Sequence, residues 1–349
     1  MNEFDFIRQL REQARARNFS SRLITGIGDD AAVVRESGNR DLVISTDLLI
    51  EEIDFHRETT PAHLLGHRAL AVSLSDIAAM GARPLWALIS FGLPGSTWDS
   101  DFKEQFFAGY LALADRYGVT LAGGDISKSQ QIVIDSIVAG EVKTGRAVLR
   151  STAQPGDQIF VTGSLGGAAA GLKLIELGAR VGADSSRQEA DGRGQSDDET
   201  SDDHAIQFLL LRQLAPQPRV GWGMVLGEEQ LATSMIDISD GLSSDLRHLC
   251  AESNVGATID ASSLPLDENV KQLCGRRALD PLALALHGGE DFELLFTVSP
   301  ERLSPLPQRV DGVGISQIGE VTEQGGGVRL REKNREWNLE AKGFTHFGK

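Results

Sequence analysis

Phe4, Ile7 and Leu10 recur at helical spacing in the opening segment "MNEFDFIRQLREQARAR", which predicts an amphipathic helix. "DLVIST" (41–46) reads as a short buried strand, and Pro61 opens a long helix of small apolar residues, "PAHLLGHRALAVSLSDIAAMGA". "PLWALISFGLP" (84–94) is the next strand. "DFKEQFFAGYLALADRYG" (101–118) is amphipathic through Phe102, Phe106, Tyr110 and Ala114. "VTLAGGD" and "QIVIDSIVAGEV" add two strands. Strand, helix, strand, helix, strand, strand is the order of an α+β fold, a mixed sheet with helices on one face.

The pattern breaks near residue 150, where "STAQPGD" (151–157) reads as a turn. This predicts two domains, 1–150 and 151–349. In the second, "QIFVTG" starts a strand that leads through "SLGGAAAGLKLIELGA" into a helix. "SMIDIS", "VGATID" and "FELLFTV" are further strands and "DGLSSDLRHLC" a helix, so this domain is also α/β in content. Residues 182–205 interrupt it with no Leu, Ile, Val, Met or aromatic residue, and with eight acidic residues against two arginines. Such a stretch cannot bury enough surface to order itself and is expected to be a disordered acidic insertion.

Composition narrows the function classes. Fifty acidic residues stand against 34 basic ones, a formal net charge of −16. That balance argues against nucleic-acid or anionic-membrane partners, which need basic footprints. Cys250 and Cys274 form neither a zinc signature nor a secreted disulfide framework. No apolar run approaches the ~20 residues of a membrane span, and the N-terminal segment lacks the apolar core of a signal peptide. A cytoplasmic location is expected.

The chemistry concentrates in carboxylates, most of them near strand ends or glycine turns: "GIGDDAAV" (26–33), "STDLL" (45–49), "SLSD" (73–76), "LAGGD" (121–125), "DISDG" (237–241) and "HGGED" (287–291); Asp76 differs in lying within an apolar helix, where a charge must be exposed or paired. Each alone is ordinary turn or capping chemistry. If they converge, repulsion decides the outcome: two unit charges ~4 Å apart repel by about 4 kcal/mol at an effective dielectric near 20. Cations or shared protons must then sit among them. Carboxylates with Ser45 and Thr46 are hard oxygen ligands and suit Mg²⁺, which screens phosphates during phosphoryl transfer. No GK[ST] P-loop, GxGxxG fingerprint or G-x-S-x-G elbow occurs, and "HLLGH" (63–67) lacks the glutamate of a zincin.

Taken together, "IGDDAAV", "STDLLIEEIDF", "HRALAVSLSDIAAMGARP", "LAGGD", "LRSTAQPGD", "IDISDGLSSDL", "GGEDFELLF" and "KGFTHF" resemble the thiamine-monophosphate kinases, within the superfamily that includes aminoimidazole ribonucleotide synthetase. The resemblance covers nearly the whole chain apart from 182–205. It implies an N-terminal domain that pairs with its twin in a homodimer, ATP bound near the interface, and a C-terminal domain closing over the site. It further implies Asp30, Ser45, Thr46, Asp47, Asp76, Asp125, Asp237 and Asp240 as ligands of several Mg²⁺ ions. Gly124, Asp125, Arg150 and Ser239 are implied as ATP contacts, and Asp54, Glu290 and Phe344 as contacts to thiamine monophosphate. At Asp54 the chain departs from the family pattern, which carries a histidine there. The implied reaction moves the γ-phosphoryl group of ATP onto the acceptor's phosphate, giving thiamine diphosphate. No general base is needed, since the acceptor oxygen is already anionic. Two alternatives stay open: a superfamily enzyme with a different acceptor, and a non-catalytic nucleotide-binding regulator.

Overall fold

A computed structural model describes residues 3–16, 20–36, 38–182, 197–277, 279–333 and 335–343. Buried and open positions alternate along Arg40–Ile50, the central ladder strand of the first sheet. That sheet has six strands, β1 (Leu23–Thr25), β2 (Ala32–Arg35), β3 (Arg40–Ile50), β4 (Arg83–Leu93), β5 (Thr120–Lys128) and β6 (Val133–Lys143), in the order β1-β2-β3-β6-β4-β5. Only β4 and β5 run parallel. The second sheet comprises β7 (Gln158–Thr162), β8 (Ser234–Asp237), β9 (Gly256–Asp260), β10 (Leu294–Val298), β11 (Arg309–Val310), β12 (Val313–Thr322), β13 (Val328–Glu332) and β14 (Arg335–Asn338). Its order is β14-β13-β9-β12-β7-β10-β8, with β11 paired to β12. Two mixed sheets with helices are the fold class expected above.

The helices are α1 (Glu3–Arg15), α2 (Ala62–Ala79), α3 (Gly95–Trp98), α4 (Phe102–Tyr117), α5 (Gly167–Glu176), α6 (Asp197–Leu214), α7 (Val220–Glu228), α8 (Leu242–Ser253), α9 (Glu268–Arg277) and α10 (Pro281–His287). Helix α2 is buried on nearly every side, which its small residues permit. A Cβ on Gly66 would lie 1.9 Å from the Phe106 carbonyl oxygen, and one on Gly109 1.8 Å from that of His63, so α2 and α4 cross almost backbone to backbone. Helix α7 closes the other side, with Gly223 against the Ala78 carbonyl.

One core fills the space between α2, α4, the first sheet and the facing side of β7 and β10; it draws Phe160, Trp222 and Phe296 from the second half of the chain. A second lies between the other side of that sheet and α8 and α10. Helix α2 therefore runs between the sheets and carries its polar residues to their junction.

Residues 183–196, most of the acidic stretch expected to stay unordered, lie outside the described residues. Its C-terminal end differs from that expectation, because the chain is helical from Asp197 onward. Helix α6 buries Ala205, Leu209, Leu210 and Leu214, a helical stripe that begins only where the acidic stretch ends, and acidic residues suit a helix N-terminus. Both cysteines are free thiols and buried.

Candidate functional site

Strand alternation sorts the "STD" segment. Ser45 and Asp47 point from β3 toward α2, whereas Thr46 points to the opposite face. Ser45 Oγ donates to Asp76 Oδ2 on α2. Asp76 in turn lies with Asp30 and Asp237, one ligand oxygen of each within 4.8 Å of the others. Three sequence-distant carboxylates thus meet: one from the loop before β2, one from α2 and one at the end of β8. Ser75, one residue before Asp76, donates to Asp237 Oδ2 at 2.6 Å.

The electrostatics are those of a site short of cations. Burial, then the charges of Asp47, Asp237 and Asp30, push the Asp76 carboxyl well above its usual pKa. Burial and Asp30 do the same to Asp237. Asp47 is pushed up to about 6, chiefly by burial, against hydrogen bonds from Ser73 and Asp76. Its Oδ2 is buried without a hydrogen-bond partner. A hard divalent cation fits this set: it would take the orphaned oxygen and relieve the repulsion among carboxylates that the chain leaves uncompensated.

The nearby cation is Arg150. Its Nε and Nη2 donate to the two oxygens of Asp30 at 2.9 and 2.5 Å, a bidentate fork. Burial alone would weaken its charge, but Asp30, Asp29 and Asp237 raise its pKa. Ser234 and Ser253 both donate to its carbonyl oxygen, fixing the turn that carries it. Asp29 accepts from the backbone N–H groups of Asp30 and Arg150. Burial and the Asp30 charge push the Asp29 carboxyl up to about 7. Asp29 thus shapes the turn. A cleft of about 720 Å³ opens beside this loop between α1 and β1–β3, with Arg11, Asp29, Asp30, Ser45 and Glu252 in its walls.

Thr46 is not gathered with the cluster by its side chain. Its hydroxyl donates to Asp135 on β6 at 2.5 Å. Ladder register aligns Asp135, Ser90 and Asp125 across β6, β4 and β5, so Asp125 also lies on the face away from α2. Gly124 lies beside it, where a Cβ would meet the Ile89 carbonyl at 1.9 Å. The edge strand β5 is exposed along almost its whole length.

The other predicted residues fall around the "DISDG" and "HGGED" loops, which pair backbone to backbone. Glu290 N–H donates to the Ser239 carbonyl at 2.8 Å and Phe292 N–H to that of Ile238 at 2.9 Å. Ser239 and Glu290 are therefore neighbours. Asp240 precedes α8, whose first turn is tied down by Asp245 accepting from the Asp240 and Gly241 N–H groups. The Glu290 carboxylate is held by Arg68 from α2 and Gln213 from α6. Asp54 spends its carboxylate on the Ile50 N–H at 2.7 Å, closing the turn after β3, while its carbonyl accepts from Arg68. Phe344 lies outside the described residues.

Sequence reasoning passed over Arg68, Ser73, Ser75, Asp135 and Gln213. Ser73 and Ser75 flank Asp76 in "SLSD", a polar run inside an apolar helix and therefore a usable signal. Arg68 stands in the quoted segment "HRALAVSLSDIAAMGARP" with no role assigned to it, and Asp135 and Gln213 belong to none of the acidic motifs.

Comparison with known proteins identifies the family. Residues 28–142 match the AIR synthase related protein N-terminal domain, and residues 154–331 the C-terminal domain of the same family. The thiamine-monophosphate kinase of Escherichia coli strain K12 is 35% identical over 350 residues, covering 99% of this chain and 98% of that protein. A solved structure of AaThiL complexed with AMPPCP and TMP superposes with a TM-score of 0.80 at 33% identity, covering 99% of this chain and 97% of that one. The thiamine-monophosphate kinase of Stenotrophomonas maltophilia K279a gives 0.72 at 36% identity, covering 92% of this chain and 94% of that one. With buried carboxylates converging from both halves of a chain that matches these kinases from end to end, the protein belongs to the thiamine-monophosphate kinase family of AIR synthase related proteins.

Proposed function

We propose that this protein transfers the γ-phosphoryl group of ATP to the phosphate of thiamine monophosphate, forming thiamine diphosphate and ADP. The observation that carries the reading is the meeting of Asp30, Asp76 and Asp237 beside Arg150, in a chain whose relative AaThiL was solved with an ATP analogue and TMP. Bound Mg²⁺ would supply charge screening between two anionic phosphates, and Asp30, Ser45, Asp47, Asp76 and Asp237 are the residues that would hold it. Thr46 and Asp125 belong to the other face of the sheet, and Asp240 to the loop after β8; they fit the resemblance as ligands of further ions.

The chain's own work is alignment. Arg150 is anchored through its carbonyl and, with Nε and Nη2 held by Asp30, would meet a phosphate through Nη1. The 720 Å³ cleft between α1 and the Gly26–Asp30 loop has room for a nucleotide. Gly124 and Ser239 complete the ATP contacts that the resemblance implies, and Glu290 and Asp54 mark the acceptor end. No residue needs to remove a proton, since the attacking oxygen is already ionised. We further propose a homodimer through the open face of the first sheet, where Leu48 is 54% exposed, and along the uncovered edge strand β5. Among the described residues no helix is long and apolar enough to cross a membrane; a cytoplasmic enzyme is the proposal.

The test is direct. Purified protein with ATP, Mg²⁺ and thiamine monophosphate is expected to yield one thiamine diphosphate per ADP, read by chromatography, and none with EDTA. ATP binding without product would replace this acceptor with another of the superfamily's.

A further inference from the structure

Helix α2, helix α6 and the loop before β10 meet in a second polar cluster, separate from the carboxylates that gather at Asp76. Arg68 is 3% exposed and reaches three backbone or side-chain oxygens: the Glu290 carboxylate, the Asp54 carbonyl and the Gln213 carbonyl. Gln213 is 4% exposed and donates its Nε2 to the other Glu290 oxygen. That bond fixes the amide orientation, because only the NH₂ end can donate to a carboxylate. Gln213 Oε1 is therefore an acceptor, and it is buried without a partner; Arg68 Nε is a buried donor in the same condition. Glu290 itself stays one-third exposed, so the cluster opens to the surface at its carboxylate.

Unmet buried polar atoms are destabilising, since each has given up its bonds to water and gained none. Here one acceptor and one donor are left over behind a carboxylate that faces outward. An amine next to a ring nitrogen offers the complementary pair, and the pyrimidine of thiamine monophosphate carries that arrangement. Its exocyclic amine is also the only N–H donor on the organic part of the molecule.

We propose that Gln213 is a specificity-determining residue: held with Arg68 against Glu290, it makes the site select an acceptor bearing an aminopyrimidine. This rests on the reading of thiamine monophosphate as substrate. Gln213 and Glu290 accept from the amine, Arg68 Nε donates to the adjacent ring nitrogen, and the rest of the Arg68 guanidinium sets the angle of the Glu290 carboxylate.

The experiment compares thiamine monophosphate with its analogue in which oxygen replaces the pyrimidine amine, using the full-length enzyme with saturating ATP and Mg²⁺. The wild type is expected to favour the amine by kcat/KM. Gln213→Met is expected to raise KM for thiamine monophosphate about tenfold, the factor for one lost hydrogen bond to a buried acceptor. The amine-over-oxygen preference falls by the same factor, and KM for ATP stays put. Gln213→Asn withdraws the amide by one methylene and is expected to lose the same preference, so the test survives if the Met variant is unstable. A merely structural glutamine would lower both substrates' kcat/KM together. An unchanged preference in either folded variant overturns the proposal while the wild-type turnover upholds the kinase reading. No wild-type turnover of thiamine monophosphate overturns both.

Discussion

Around Glu293 the fold supplies arginines for its buried carboxylates; around Asp76 it leaves them unmatched. Glu293 is fully buried and meets Arg212, Arg219 and Thr162, while Asp291 meets Arg212 and the N–H groups of Gly166 and Ala168 at the start of α5. Burial alone would raise the Glu293 pKa, yet its two arginines bring it below the ordinary value. At Asp76 and Asp237 the partners are serine hydroxyls, and the nearest arginine is spent on Asp30. Their carboxyls rise well above the ordinary range. Both places gather interior carboxylates, buried at Glu293, Asp291 and Asp237 and half-buried at Asp76. What differs is who brings the positive charge: a carboxylate matched by the chain holds the fold, and one left unmatched is poised for something the chain does not contain.

Breaking the unmatched cluster should cost activity and not stability. Asp76→Asn is expected to lower turnover of thiamine monophosphate by about 10³-fold or more, equivalent to roughly 4 kcal/mol of transition-state stabilisation. Its denaturant midpoint should hold or rise, because one repelled carboxylate is gone. Near-normal turnover, or a large fall in the midpoint, would make Asp76 a structural residue like Glu293. The converse substitution, Arg219→Ala, strands a buried charge and is expected to destabilise the protein by about 3 kcal/mol in urea unfolding. A loss below 1 kcal/mol would show that Arg212 alone satisfies Glu293.

The smallest effect is a pH dependence of stability that Mg²⁺ reduces. Asp47 and Asp29 titrate near 6 and 7 in the folded chain, against about 4 when unfolded. Between those values the folded state holds more protons, so the metal-free protein loses stability as pH rises from about 4 to about 7. Mg²⁺ competes with the Asp47 proton, so the rise in melting temperature on adding it should be larger at pH 8 than at pH 6. Equal increments at both pH values would separate metal binding from this carboxylate.

Local chemistry made much of this legible. Strand alternation and helix periodicity located most elements of the first half and fewer of the second, and the acidic motifs singled out Asp30, Asp76 and Asp237 before any of them had a neighbour. The two-residue period of β3 also held information that went unread. It separates Thr46 from Ser45 and Asp47, and so divides the implied ligands between the two faces of a sheet. "GGEDFE" hid a similar division, since Glu290 reaches toward the surface while Asp291 and Glu293 turn into arginine-lined interior.

Amino-acid sequence by itself determined the element types, the acidic motifs and the family, because propensity, periodicity and turn chemistry act over a few residues. Tertiary structure alone decided which carboxylates meet, which are neutralised, and that Arg68 and Gln213 stand behind Glu290. Those outcomes depend on contacts between residues as far apart as Asp30 and Asp237. Charge balance at a buried point is a sum over whatever the fold packs around it, and no stretch of chain carries that sum.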